Sequence, residues 1–380
     1  MKRATDSSSQ RIREIRKIRA PLLRWYDANR RDLPWRRSSD PYAIWISEAM
    51  LQQTRVDTVI PYWERFLEAF PDVESLARAE LDEIYTLWTG LGYYSRARNL
   101  KHAAETIVTE HAGQLPNTAE GLRELKGIGR YTAGAVASIA FDREEPLIDG
   151  NVIRVFTRLL GIREETTAKT VIDGLWVIAS ALVRGPRPGD LNQALMELGA
   201  TLCTPRNPDC PACPVRRHCD ANRRGDADRL PIKKKRSKPK PMRAVAAWIE
   251  RGAKILAVRC PEEGLMAGLW ELPGGEIGPK DEAKDRLGEI LRAAIGLEIH
   301  HAESIGRIEH VFTHRHLVLE VFRCRAEKGQ RVRLDRLQAH RWVRPSTFLE
   351  LAHAGPTRKA MMLFGVTREP SARTAGRTRT

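Results

Sequence analysis

Apolar positions three or four apart run through the first half of the chain, in segments such as YAIWISEAMLQQTRVDTVIPYWERFLEAF and LIDGNVIRVFTRLLG. That period predicts an all-helical region of many short helices from Pro21 to about Gly199. Gly and Pro punctuate it at PWRRSSDP, FPDVE, GLGYY, LPNT and RGPRPGD, the turns that packed helices require. Past Met242 the period shortens. AVAAWI, KILAVRC, HLVLEVFRC and RVRL read as strands and DEAKDRLGEILRAAIG as an amphipathic helix, which together predict a second, α/β domain. Between the two regions RRGDADRLPIKKKRSKPKP has no periodic apolar face and reads as a basic linker. Both ends, the first with helix from Arg11 on, read as polar basic tails.

Composition adds a partner to this outline. Of 380 residues 42% are hydrophobic, enough for ordinary cores, and 64 Lys and Arg against 48 Asp and Glu give a formal charge of +16. Such a chain attracts a polyanion, whether DNA, RNA or an anionic membrane surface. The start MKRATDSSSQRIREIRK lacks the apolar core of a signal peptide, and no apolar run reaches membrane-spanning length. A place inside the cell follows.

Cys203, Cys210, Cys213 and Cys219 lie within seventeen residues, spaced x6, x2 and x5. Thiolate count alone suggests zinc, but zinc knuckles commonly use two close pairs and this segment has one. In LKGIGRYTAGAV, Gly127 and Gly129 precede an apolar-faced helix, where converging backbone amides suit a DNA phosphate; tight packing of two helices is the plain alternative. Glu48 stands among Ile44, Ile46, Ala49, Met50 and Leu51, so its carboxyl is a candidate for the poor hydration that raises a pKa, unless it faces solvent and pairs with Arg55. Asp149, followed by Gly150 and Asn151, is placed as a helix cap.

Taken together, RDLPWR at 31–36, SEAMLQQTRVDTVIPYW at 47–63, GLGYYSRARNL at 90–100, LKGIGRYTAGAV at 125–136, IDGNVIRV at 148–155, NQALMELGA at 192–200, the four cysteines and GLWELPGGE at 268–276 make a specific set. The sequence resembles the adenine DNA glycosylases that remove adenine mispaired with 8-oxoguanine, within the helix-hairpin-helix glycosylase superfamily. The fold the resemblance implies is multidomain, an all-α helix-hairpin-helix glycosylase fold with a [4Fe-4S] loop plus a C-terminal α/β Nudix-like domain. Its parts are expected at 1–19 (basic tail), 20–220 (helical catalytic region, hairpin near 122–136, iron-sulfur loop 203–219), 221–242 (basic linker), 243–352 (Nudix-like recognition domain) and 353–380 (tail).

The same resemblance implies the chemistry. Glu48 is the general acid that protonates adenine, Asp149 faces C1′ and stabilises the sugar cation, and Tyr131 and Asn151 orient Asp149 or the substrate. Lyases of the superfamily place a Lys where Tyr131 stands, and a phenol forms no imine, so hydrolysis without strand cleavage is expected. Arg31 and Arg36 line the adenine pocket, Gln53 wedges into the stack, Tyr93 inserts beside 8-oxoguanine, and Gly127 and Gly129 meet phosphate. Phe312, Thr313 and His314 stand where the family often has Phe-Ser-His to read the lesion. A [4Fe-4S] cluster on Cys203, Cys210, Cys213 and Cys219 is the expected cofactor. The partner is double-stranded DNA carrying A:8-oxoguanine or A:G, bound by a monomer with no membrane role in the bacterial cytoplasm, at the nucleoid. An endonuclease-III-like lyase, a DNA-binding scaffold without chemistry and a Nudix hydrolase are the other classes; against the last, Arg286 is followed by Leu287 and Gly288 where a metal-binding helix needs glutamates.

Overall fold

The computed structural model describes residues 12–234, 238–326 and 329–367, so the tails expected at 1–19 and 353–380 lie outside it only at 1–11 and 368–380, and the first is corrected by Ile15 and Ile18, which are buried in the helical core. In chain order the helices are α1 (Arg19–Asn29), α2 (Pro41–Leu51), α3 (Val56–Ala69), α4 (Val73–Arg78), α5 (Leu81–Trp88), α6 (Ser95–Glu110), α7 (Ala119–Glu124), α8 (Arg130–Phe141), α9 (Gly150–Leu160), α10 (Lys169–Val183), α11 (Pro188–Thr201) and α12 (Asp220–Arg224). Strands β1 (Lys240–Arg251), β2 (Lys254–Arg259), β3 (Trp270–Glu271) and β4 (Gly274–Ile277) follow, then α13 (Ala283–Ile295), β5 (Ile299–Val311), β6 (Arg315–Ala326), β7 (Ala339–Val343), α14 (Pro345–Phe348) and α15 (Gly355–Met362). Among the described residues no helix is long and apolar enough to cross a membrane. Two compact units result, Met1–Ala79 with Arg96–Arg236 and Glu80–Ser95 with Ser237–Thr380.

In the helical unit α2 is buried from Tyr42 to Met50, on every face. Pro41 at its first position and the Asp40 side chain, which accepts from Tyr42 N at 3.0 Å and Ala43 N at 3.4 Å, start it in a fixed direction. Close packing elsewhere depends on missing side chains. Gly127 sits at φ +85° and a Cβ there would lie 2.5 Å from Asn99 Cβ, while a Cβ on Gly134 would lie 2.1 Å from the Pro146 carbonyl oxygen. Leu22, Tyr26, Val152, Phe156, Leu191 and Leu198 belong to a core shared by α1, α9 and α11.

The second unit is built on a seven-stranded sheet in the order β3-β2-β1-β6-β5, with β4 paired to β1 and β7 to β2. β1 runs parallel to β6 (Val245 opposite Glu320) and the other pairings are antiparallel. Ala244 to Ile249 are all buried because this central strand is covered on both sides: Val245, Ala247 and Ile249 join the core under α13, while Ala246 and Trp248 join the one under α14 and α15.

Four expectations are corrected here. The segment 221–242 is not all linker: Ala221, Ala227 and Leu230 form a small buried cluster, the Thr166 amide donates to the Ile232 carbonyl at 3.1 Å, and β1 already begins at Lys240. Three well-spaced apolar residues pin the basic stretch, and residues 235–237 lie outside the described part. The tail expected from 353 starts later, since α15 buries Pro356, Ala360 and Met361 and Phe364 stacks on Trp248 at 4.0 Å. RVRL is not a strand; Val332 and Leu334 pack irregularly against the α13 core. Glu80–Ser95, within the span expected to be the helical region, packs with the second unit: Arg259 pairs with Asp82 at 3.0 Å and the Tyr94 hydroxyl donates to the His353 carbonyl at 2.9 Å.

Gly134→Ala is expected to cost about 1–3 kcal/mol by overpacking, measured as the loss in urea unfolding free energy. Gly174→Ala, whose Cβ would meet open space within α10, is expected to gain up to about 1 kcal/mol in the same assay.

Candidate active site

Glu48 lies on α2 just under one turn before its end and retains 5% exposure. The Tyr131 hydroxyl, at the start of α8, donates to Glu48 Oε2 at 2.6 Å. Burial pushes the Glu48 carboxyl up to about 7 and the nearby Asp149 charge adds to the rise, while the Tyr131 hydrogen bond and the Arg36 charge oppose it. The same burial, together with Glu48, raises the Tyr131 phenol well above its ordinary value, so it remains a donor. The alternative of a solvent-facing Glu48 paired to Arg55 does not occur.

Asp149 caps α9: its Oδ1 accepts from Val152 N at 2.7 Å and its Oδ2 from Asn151 Nδ2 at 2.8 Å. Burial raises its carboxyl on balance, and these hydrogen bonds and the Arg154 charge restrain that rise by favouring the ionised form. Asn151 is itself held, since its Oδ1 accepts from Arg154 Nη2 at 2.8 Å and Arg154 Nε donates to the Cys203 carbonyl at 2.7 Å. Glu48, Tyr131, Asp149 and Asn151 are thus brought into one electrostatically coupled group.

Arg31 and Arg36 meet at a residue the sequence reading did not single out. Glu197, at 1% exposure, accepts Arg31 Nε at 2.7 Å and Nη2 at 2.9 Å, the Arg31 amide at 3.1 Å and Arg36 Nη2 at 2.9 Å. These partners outweigh its burial and hold its carboxyl down at about 2. The sole signal in the sequence is an acid between Met196 and Leu198 in a helix of apolar period, with two arginines in RDLPWR left to be paired. Asp32, the neighbour considered for Arg31, pairs instead with Arg37. Trp35 is core, its ring edge-on to Trp63 at 5.9 Å.

The remaining positions fall in two places. Gln53 is exposed at φ +59° in the turn leaving α2, and Gly127 and Gly129 form the hairpin before α8, where a Cβ on Gly129 would meet open space. In the second unit Phe312, Thr313 and His314 form the turn between β5 and β6. Tyr93, at φ +50°, places its hydroxyl 2.9 Å from Thr313 Oγ1, Phe312 lies against His310 at 4.6 Å, and His314 is exposed.

The [4Fe-4S] cluster expected on Cys203, Cys210, Cys213 and Cys219 is a correction, and with it the iron-sulfur loop in the fold. Among the described residues no group of three or more His, Cys, Asp or Glu side chains is disposed to hold a metal ion. The sulfurs turn to other partners: Cys203 Sγ accepts from Arg158 Nη1 at 3.2 Å, and Cys219 Sγ donates to the Arg158 carbonyl at 3.4 Å. Burial raises the Cys210 and Cys219 thiols and pushes Cys213 up to about 12, whereas a metal ligand must be the thiolate. Sequence spacing brought four thiols into one segment without fixing where each points.

Comparison with known proteins places this geometry. A family model described as the HhH-GPD superfamily base excision DNA repair protein matches residues 46–180, and a NUDIX domain model matches 244–363. The chain is 37% identical over 407 residues to the adenine DNA glycosylase of Rattus norvegicus, covering 93% of this chain and 79% of that protein. It is 36% identical over 409 residues to that of Homo sapiens, with 93% and 75% covered, and 41% identical over 216 residues to that of a Buchnera aphidicola strain, with 57% and 62% covered. Relatives from eukaryotes and bacteria alike do not single out a bacterial source. A solved thermostable thymine-DNA glycosylase is similar at a TM-score of 0.51 and 29% identity, covering 56% of this chain and 98% of that one.

Between its ordinary value of 4.5 and about 7, the folded protein keeps a Glu48 proton that the unfolded chain has released. Stability from that proton is complete below the unfolded value and is lost as pH rises through the folded one. Glu48→Gln is therefore expected to be more stable than the parent at pH 8, by up to about 3 kcal/mol, with the difference vanishing near pH 4 in paired denaturant titrations.

Proposed function

The chain belongs to the adenine DNA glycosylase family and is a DNA glycosylase of base-excision repair, and on that premise we propose that it hydrolyses the bond between adenine and deoxyribose where adenine stands opposite 8-oxoguanine or guanine. The observation that carries the reading is the pair of carboxyls in unlike surroundings: Glu48 is buried and holds a proton near neutrality, while Asp149 is fixed by hydrogen bonds that favour its charge. Breaking a glycosidic bond calls for that division of labour, an acid for the leaving base and an anion for the sugar cation.

The adenine must leave the duplex stack to reach them. Gln53, exposed at the tight exit from α2, is suited to fill the gap, and Arg31 and Arg36, tied to Glu197, supply a rigid polar wall for the extruded base. Glu48 passes its proton to a ring nitrogen, N7 by resemblance to the family, and positive charge grows at C1′. Asp149 meets that charge, oriented by Asn151 and Val152 N. Water then completes the sugar, and Glu48, now ionised beside Tyr131, can take a proton from it. No amine occupies the Tyr131 position, so the product keeps an intact strand.

Hairpin amides at Gly127 and Gly129 and the start of α8 are suited to a phosphate. In the second unit, Tyr93 and Thr313 supply adjoining hydroxyls, with Phe312 and His314 in the same turn, for reading the opposite base. Thr313 offers the hydroxyl that Ser offers in much of the family, with one added methyl.

Single-turnover base release from duplexes carrying A:8-oxoguanine, A:G and A:C tests the reading. Release is expected from the first two, falling as pH rises through about 7, with Glu48→Gln and Asp149→Asn each slower by roughly a thousand-fold or more and no adduct trapped by borohydride. Release by both variants at the parent rate would overturn it.

A further inference from the structure

Arg96 occupies the second position of α6 and is buried, although a cation at that end of a helix opposes the helix dipole. Its guanidinium lies instead at the opposite, negative end of α2. Nη1 donates to the carbonyls of Ala49 at 3.0 Å, Met50 at 2.7 Å and Gln52 at 2.7 Å, and Nη2 donates to Thr54 Oγ1 at 3.3 Å. A helix leaves its last four carbonyls without intrahelical partners, and two of those of α2 are taken here by one nitrogen.

The exit so held is a demanding one. Gln52 leaves the helix at φ −58° and ψ 110°, and Gln53 follows in the left-handed region, which a non-glycine residue adopts only under strain. The Gln52 side chain is fixed in turn, its Nε2 donating to Thr132 Oγ1 at 3.3 Å on α8, next to Tyr131. Glu48 lies one turn before Gln52. Any loosening of this exit therefore shifts the peptide units that aim the Glu48 carboxyl and admits water to it.

We propose that Arg96 is a positioning residue for adenine release: by clamping the end of α2 it keeps Glu48 dry beside Tyr131. The inference rests on Glu48 being the acid. Lys cannot replace this clamp, because a single ammonium lacks the planar fork that reaches the carbonyls and Thr54 together.

The test is single-turnover adenine release by the parent, Arg96→Lys and Arg96→Gly across about pH 5 to 9, beside thermal melting and binding to a duplex with an uncleavable adenosine analogue. Arg96→Lys is expected to melt and bind much as the parent does, while its maximal rate drops roughly 10- to 100-fold and its pH limb moves down from about 7 towards the ordinary Glu value of 4.5. Added methylguanidinium is expected to restore part of the rate of Arg96→Gly. A parent-like rate in Arg96→Lys would overturn the inference, as would a loss that only follows the unfolded fraction with the limb unmoved. A missing limb in the parent alone would overturn the assignment of Glu48, and the clamp's purpose with it, without reference to any Arg96 variant.

Discussion

Withholding water from one carboxyl is the constraint around which the helical unit is arranged. Glu48 could not keep a proton near neutrality on an ordinary amphipathic helix, because the face bearing it would be either solvated or wholly apolar. α2 meets the requirement by being buried on all sides, with its start fixed by Asp40 and Pro41. An uncharged acid is cheap to bury; an ionised one is not, even with a phenol donating to it, and the difference is stored as proton affinity.

Two other carboxyls of the unit, the buried Glu197 and the half-buried Asp149, show the same accounting with different outcomes. Glu197 is as deeply buried as Glu48, yet four donors from Arg31 and Arg36 make the charged form the stable one. Such an ion cluster adds little net stability after desolvation, but its planar geometry fixes two guanidinium groups that would otherwise sample many rotamers. Asp149 lies between these extremes, desolvated but supplied with amide donors at the head of α9. Three acids with the same chemistry are thus given three different proton affinities by their neighbours alone.

Much of this could be read before any fold was known. Apolar neighbours around Glu48 made its burial a candidate beside a solvent-facing alternative, and the Asp-Gly-Asn sequence pointed to a cap, because both depend on residues adjacent in the chain. Glu197 stayed hidden since its partners lie more than 160 residues away. The cysteine spacing told of proximity but not of direction, and Arg158, which takes two of the sulfurs as partners, sits far upstream. In the second unit β5 escaped notice because as an edge strand it carries few buried residues, His300 and His301 among its exposed ones, whereas β1, buried on both faces, was unmistakable.

The membership of Glu80–Ser95 in the second compact unit bears on where the chain can be divided. Asp82 is paired to Arg259 and Tyr94 to the His353 carbonyl, so the second unit is not confined to the residues that follow the basic stretch. Recombination breakpoints at that stretch would still yield clean coding boundaries, but chimaeras made there would inherit Asp82 and Tyr94 tailored to a lobe they no longer possess.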